Sequence, residues 1–285
     1  MKYFSILLTL IATHLQAQTF TGDTWAFARR NGSATIVLTH AEVPNYSEMK
    51  NNRPSGICFE IMDHFIEFVD ARYGIKVEVK YRSVDDPTNF QAFLKAVQNS
   101  KGGVFGLGDV SITPDRRELF EFTPPYLSNV AILVTSKSVT PLSDLSNIGS
   151  EFKGMKAAVQ QGSSHDKRVT ALQEKYGGVQ IEYVSNSSQK LEKVTSSDRY
   201  FTYIDFPNYV DAVLDGVNIK RHAAGDDAGG KFGLIMPKGS DWSPIMNAFF
   251  RANGGYTLSE KYRESLKRNL GEKILRLTDA FANAD

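Results

Sequence analysis

The sequence predicts an α/β protein made of two successive sheet-and-helix units, and three observations predict it. Short runs suited to strands alternate with amphipathic runs suited to helices along most of the chain. That alternation breaks near Tyr126 and then restarts. The chain has 285 residues, 41% hydrophobic and 23% charged, an ordinary globular composition that suffices for one large domain or two lobes.

In chain order, residues 34–39 (ATIVLT) read as a strand. After Gly56 the residues Ile61, Phe65, Phe68 and Val69 recur at helical spacing as far as Gly74, where the helix ends. Residues 76–81 alternate as a strand, and residues 89–99 read as a helix. Gly102 and Gly103 end that helix and lead into the apolar run 104–110. Strand, helix, strand, helix, strand argues for a parallel sheet with right-handed crossovers. The second unit has strands at 131–135, 156–160, 179–184 and 200–204, and helices at 165–176, 188–196 and 207–214. A glycine-rich acidic loop, 225–230, precedes a further strand at 232–236, and helical segments follow to the end.

Composition narrows the function. Formal net charge is +1, from 33 basic and 32 acidic side chains, so no field recruits nucleic acid or an anionic membrane. A small-molecule partner is expected instead. Residues 1–17 carry Lys2, an apolar core at 4–12 and Ala17 before Gln18, the pattern of a secretory signal peptide cut after Ala17. No cysteine follows that cut, so no lipid anchor is expected. No later run reaches the ~20 apolar residues of a membrane span. Cys58 is the single cysteine, so an internal disulfide is impossible and a core-filling role is expected.

Several short motifs fail on chemistry. Gly225 to Lys231 spells GDDAGGK with P-loop spacing, but Phe232 replaces the hydroxyl that would hold magnesium, and two acids stand where phosphate would go. Gly106 and Gly108 lack the third glycine of a dinucleotide fingerprint, because Ser111 stands there. Ser164-His165-Asp166 has triad residue types, but consecutive residues do not converge. No His or Cys pairs stand at zinc spacing. Neither a cofactor nor a metal is expected.

Chemistry concentrates in residues 104–137. The apolar run ends at Ser111, and a helix start follows: Thr113 as N-cap, Pro114 at the first helical position, Asp115 at the positive end of the dipole. Free N–H groups there, with Ser111 and the forked donors of Arg116, make an anion site. The plainer reading is that Thr113 only caps and Arg116 pairs with Glu118 or Glu121 at the surface. This stretch alone leaves both open.

The order Asp109-Val110-Ser111-Ile112-Thr113, then Arg116, then Phe122-Thr123-Pro124-Pro125-Tyr126 and the apolar run 131–134 resembles the signature of periplasmic solute-binding proteins of the polar amino-acid family, solute-binding family 3. The resemblance implies the two-lobed periplasmic-binding-protein fold (type II), with hinge crossings near 126–130 and 226–231 and a cleft between the lobes. It assigns residues 18–125 and 232–285 to lobe 1 and 126–231, hinge segments included, to lobe 2. It further implies that Arg116, Ser111 and the turn at Ser163 and Ser164 hold a ligand carboxylate. Asp205 and the backbone carbonyl of Asp109 would hold the ammonium, and Phe90 would pack on the ligand side chain. Plain N-capping by Ser163 and Ser164, a cap by Asp205 on the helix at Pro207, and a core role for Phe90 are the competing readings. His40 stands where relatives carry an acid, Val43 where they carry an aromatic, and Tyr46 at a later aromatic, so these positions are assigned to the variable end of the ligand.

The function so implied is that of a monomeric, periplasmic, non-enzymatic protein that captures a small L-amino acid and presents it to an inner-membrane ABC permease. Two alternatives carry over. One is a secreted cyclohexadienyl dehydratase, acting on arogenate or prephenate on the same fold, with His165 or Glu42 nominated as general acid. The other is a ligand-sensing subunit that docks on a receptor.

Overall fold

The computed structural model describes residues 18–282, so the expected signal peptide at 1–17 lies outside the described residues. The first part of the chain runs α1 (Trp25–Asn31), β1 (Ser33–His40), β2 (Glu48–Lys50), β3 (Arg53–Ser55), α2 (Ile57–Tyr73), β4 (Lys76–Tyr81), α3 (Phe90–Asn99), β5 (Val104–Leu107), α4 (Pro114–Leu119) and β6 (Phe120–Phe122). The second runs β7 (Leu127–Ser136), α5 (Ile148–Glu151), β8 (Lys156–Gln160), α6 (Ser164–Tyr176), β9 (Gln180–Val184), α7 (Ser187–Ser196), β10 (Tyr200–Asp205), α8 (Phe206–Leu214), β11 (Ile219–Arg221) and β12 (Asp227–Phe232). The chain then returns with β13 (Ile235–Pro237), α9 (Ser243–Arg251) and α10 (Glu260–Ala282).

Local chemistry accounts for the elements that matter. Helix α2 buries Ile57, Ile61, Phe65 and Val69, one face at four-residue spacing, and stops where Gly74 takes the left-handed conformation at φ 64°. Thr113 caps α4 by accepting from the Arg116 N–H, with Pro114 in its first turn. Ser163 and Asn186 cap α6 and α7 in the same way, accepting from Asp166 and Gln189.

The first sheet has the order β4-β1-β5-β13-β6, and the second β11-β7-β10-β8-β9 with β12 on β7. The parallel expectation holds for β1 with β4 and β5, and for β8 with β9 and β10. It fails elsewhere: β13 is antiparallel to both β5 and β6, and β7 is antiparallel to β10. The reason is connectivity. Strands β7 and β13 enter from the other lobe rather than through a helical crossover, so nothing forces them parallel. The acidic glycine-rich stretch expected as a loop is instead largely strand β12, paired antiparallel with β7 from Phe232 opposite Leu127 to Asp227 opposite Ala131. A bulge interrupts that ladder where Gly229 sits at φ 97°. The strand expected at 232–236 is split, with Phe232 ending β12 and Ile235 starting β13.

Each sheet carries its own core. Around the first, Phe65, Phe105, Phe249 and Trp242 pack tilted or edge to face at centroid distances of 5.7 to 6.1 Å. Around the second, Val159, Val169, Phe201 and Tyr203 are buried on one face and Ile132, Val134, Val194 and Ile204 on the other. Cys58 fills core space, with its thiol against the Gly108 carbonyl, and burial pushes its pKa up to about 12. Among the described residues no helix is long and apolar enough to cross a membrane.

Candidate functional site

The carboxyl ends of the parallel strands in both sheets face one cavity of about 60 Å³. From the first sheet come Glu42 after β1, Asp109 and Ser111 after β5, and Arg116 on α4. From the second come Ser163, Ser164 and His165 after β8, Asn186 and Lys190 after β9, and Asp205 ending β10. Helices α6, α7 and α8 all start here, so their positive ends converge on the same wall.

The two walls touch. Ser111 Oγ lies 3.1 Å from Ser164 Oγ, and Gln160 Nε2 donates to the Thr88 carbonyl at 2.9 Å. Arg116 is buried, and its guanidinium donates to the Ser111 carbonyl at 3.0 Å and, across the cleft, to the Gly162 carbonyl at 3.2 Å. It stacks over the Phe90 ring at 5.2 Å, and burial brings its pKa down to about 10. The surface pairing with Glu118 or Glu121 does not form; Glu121 faces Lys238 instead.

Asp205 sits at the N-cap position of α8 but makes no capping hydrogen bond. Its Oδ1 accepts from Asn129 Nδ2 at 2.5 Å, while Asn129 Oδ1 takes over the capping task by accepting from the Phe206 N–H. His165 Nε2 is 3.3 Å from the same carboxylate oxygen, within ion-pair distance but off the hydrogen-bonding direction. Burial alone raises the Asp205 pKa; His165, Lys190 and Asn129 outweigh it and lower it. At Asp109 the balance runs the other way: burial, and then the charge of Asp205, outweigh the opposing charges of Lys190 and Arg116 and push its carboxyl up to about 7.

Sequence reasoning missed Lys190. Its side chain is buried on the cavity wall, with Nζ 3.3 Å from His165 Nδ1 and 3.5 Å from the Tyr203 carbonyl. Because the ammonium donates to Nδ1, the ring proton of a neutral His165 belongs on Nε2, facing Asp205. Burial lowers the pKa of both Lys190 and His165, with Asp205 opposing in each case.

Of the nine residues expected at the site, seven line this cavity: Phe90, Asp109, Ser111, Arg116, Ser163, Ser164 and Asp205. His40 and Tyr46 do not, and the expectation is corrected for both. His40 turns back to Glu42 at 3.1 Å and packs on Phe59, while Tyr46 is buried in the first core, edge-on to Phe232. Glu42 and Val43, from the same turn, are on the wall instead. Among the described residues no cluster of His, Cys, Asp or Glu is arranged to hold a metal ion.

Two α/β lobes, joined by paired strands and closed on a polar cleft, define a two-lobed type II solute-binding protein. Residues 35–253 match the family model described as bacterial extracellular solute-binding proteins, family 3, and the chain belongs to that family. It is 29% identical over 146 residues to the amino-acid-binding protein AabA of Dichelobacter nodosus, covering 50% of this chain and 51% of that one. The chain therefore spans about half the length of that curated relative. Among solved structures, an ancestral arginine-binding protein bound to glutamine superimposes with a TM-score of 0.63 at 21% identity, covering 85% of this chain and 99% of that one. The ancestral amino acid-binding protein AncCDT-1, described as a precursor of cyclohexadienyl dehydratase, superimposes with a TM-score of 0.62 at 19% identity, covering 83% and 95%.

Proposed function

We propose that this protein is a periplasmic receptor that closes its lobes on a small L-amino acid and delivers it to an inner-membrane ABC permease. One observation carries the reading: anion-binding groups and a buried carboxylate from opposite lobes meet in a single cavity. Arg116, Ser111 and the Ser163–Ser164 turn hold the ligand carboxylate, and Asp205 with the Asp109 carbonyl holds the ammonium. Phe90 packs beside the ligand as it packs on Arg116. Residues 18–125 and 232–285 form one lobe and 126–231 the other, so β7 and β12 are the hinge. Residues 1–17 direct export, and the receptor works as a monomer.

Calorimetric titration with the L-amino acids tests the reading. Saturable binding of at least one amino acid with one site per chain is expected; no binding across the panel would overturn it. A second reading has an observation behind it. His165, Lys190 and Asp109 place proton-exchanging groups on the cavity wall, as an enzyme related to cyclohexadienyl dehydratases would require. Turnover of arogenate or prephenate by the purified protein, abolished by His165→Ala, would favour that reading over pure binding.

A further inference from the structure

A zwitterion needs one cationic and one anionic anchor, which Arg116 and Asp205 supply, yet the cleft holds a second buried cation. Lys190 is 5% exposed, lines the cavity, and forms no ion pair with a carboxylate among the described residues. Its ammonium has three donors. The two acceptors it has are a histidine nitrogen at 3.3 Å and a carbonyl at 3.5 Å, both long and both neutral when His165 is unprotonated. Asp205 and Asp109 attract this charge through space without touching it, and burial still outweighs them, so an anion in direct contact would complete it. The converging starts of α6, α7 and α8 add positive potential on the same wall.

The acids of the cleft do not fill this role. Glu42 is turned to His40 at 3.1 Å and to the Met49 N–H at 3.3 Å. Asp205 Oδ1 is taken by Asn129 and faced by His165. Asp109 attracts Lys190 through space, but among the described residues the two share no hydrogen bond.

We infer that Lys190 holds a second anionic group of the ligand, so that the cleft selects an acidic amino acid, L-glutamate or L-aspartate. This rests on the amino-acid reading above and names its substrate class. A basic side chain would bring a third cation beside Arg116 and Lys190. An amide would reach Lys190 but leave its charge unanswered.

The test is calorimetry of the wild type with L-glutamate, L-aspartate, L-glutamine, L-arginine and glutarate, repeated for glutamate and glutamine on Lys190→Met and Lys190→Gln. A charge-assisted hydrogen bond makes glutamate or aspartate bind roughly 10- to 100-fold tighter than glutamine, and either variant erases most of that ratio. Should both variants misfold, the wild-type order of affinities still decides. Wild type binding glutamine or arginine as tightly as the acidic amino acids overturns the proposal while leaving an amino-acid receptor in place. A variant that loses glutamate and glutamine equally also overturns it, because a merely structural lysine does that. Glutarate matching glutamate upholds Lys190 and removes the ammonium role of Asp205. No binding by any of these probes overturns the proposal, and the amino-acid reading falls with it only if the whole L-amino-acid panel also fails to bind.

Discussion

The Arg116 donors go to the carbonyls of Ser111 and Gly162, and on the proposed reading a ligand carboxylate competes for the same planar fork. Lysine keeps the charge but not the fork, so Arg116→Lys should weaken binding of the best L-amino acid roughly 10-fold or more while the far-UV circular dichroism stays unchanged. Asp109 makes a prediction about pH. Its carboxyl is raised from about 3.9 in the unfolded chain to about 7, so the folded state holds the extra proton between those values. Its contribution to stability is full below about pH 4 and is lost as pH rises through 7. Asp109→Asn should therefore raise the melting temperature at pH 8 and leave it nearly unchanged at pH 4, as thermal melts would show. Legibility also divides by residue. Ser111, Arg116 and Asp205 stand in motifs whose order and spacing are visible along the chain. Lys190 is not visible: it lies four residues before buried Val194 on a polar helix, like any solvated lysine, and only the packing of α7 on the second sheet, with His165 of α6 over its ammonium, buries it. His40 and Tyr46 misled because the turn after β1 exposes Glu42 and Val43 to the cavity and turns its other side chains inward.

Among the elements, β7 contributes most to the site beyond the strand ends that face it. It pairs with β10, β11 and β12, and it carries Asn129, which fixes the Asp205 carboxylate and the start of α8 with one amide. Asn129→Ala would leave a buried carboxylate and a helix N–H without this partner. A loss of about 1–3 kcal/mol of stability is expected from the unanswered groups, measurable by urea unfolding. The loss should be close to zero if Asp205 simply turned to cap α8 itself. Strands β1, β4, β5, β8, β9 and β10 were readable from period and punctuation, because each is bounded by a helix it packs against. Strand β12 was not, since Asp227 to Lys231 are poor strand formers held in place by a long partner nearly a hundred residues earlier in the chain. The same physics removes the P-loop spacing of this segment from consideration: its backbone N–H groups face a ladder rather than a phosphate.

At the scale of the molecule, the proposed function requires that the two walls of the cleft become one site only on closure. On the proposed reading, the antiparallel strands β7 and β12, with the bulge at Gly229, are the hinge, and each sheet keeps its own core on either side of it. Closure is favoured only as far as a ligand binds the closed form better than the open one, so a residue on the far wall must register in affinity. On the proposed reading Asp205 is that residue, and Asp205→Asn keeps its size and its contact with Asn129 while removing the charge proposed to answer an ammonium. Titration calorimetry of wild type and Asp205→Asn with the tightest L-amino acid, with small-angle scattering on the same samples, measures the claim directly. The account predicts a roughly 10- to 100-fold weaker dissociation constant and a smaller ligand-induced compaction in the variant. An unchanged dissociation constant with full compaction would contradict it.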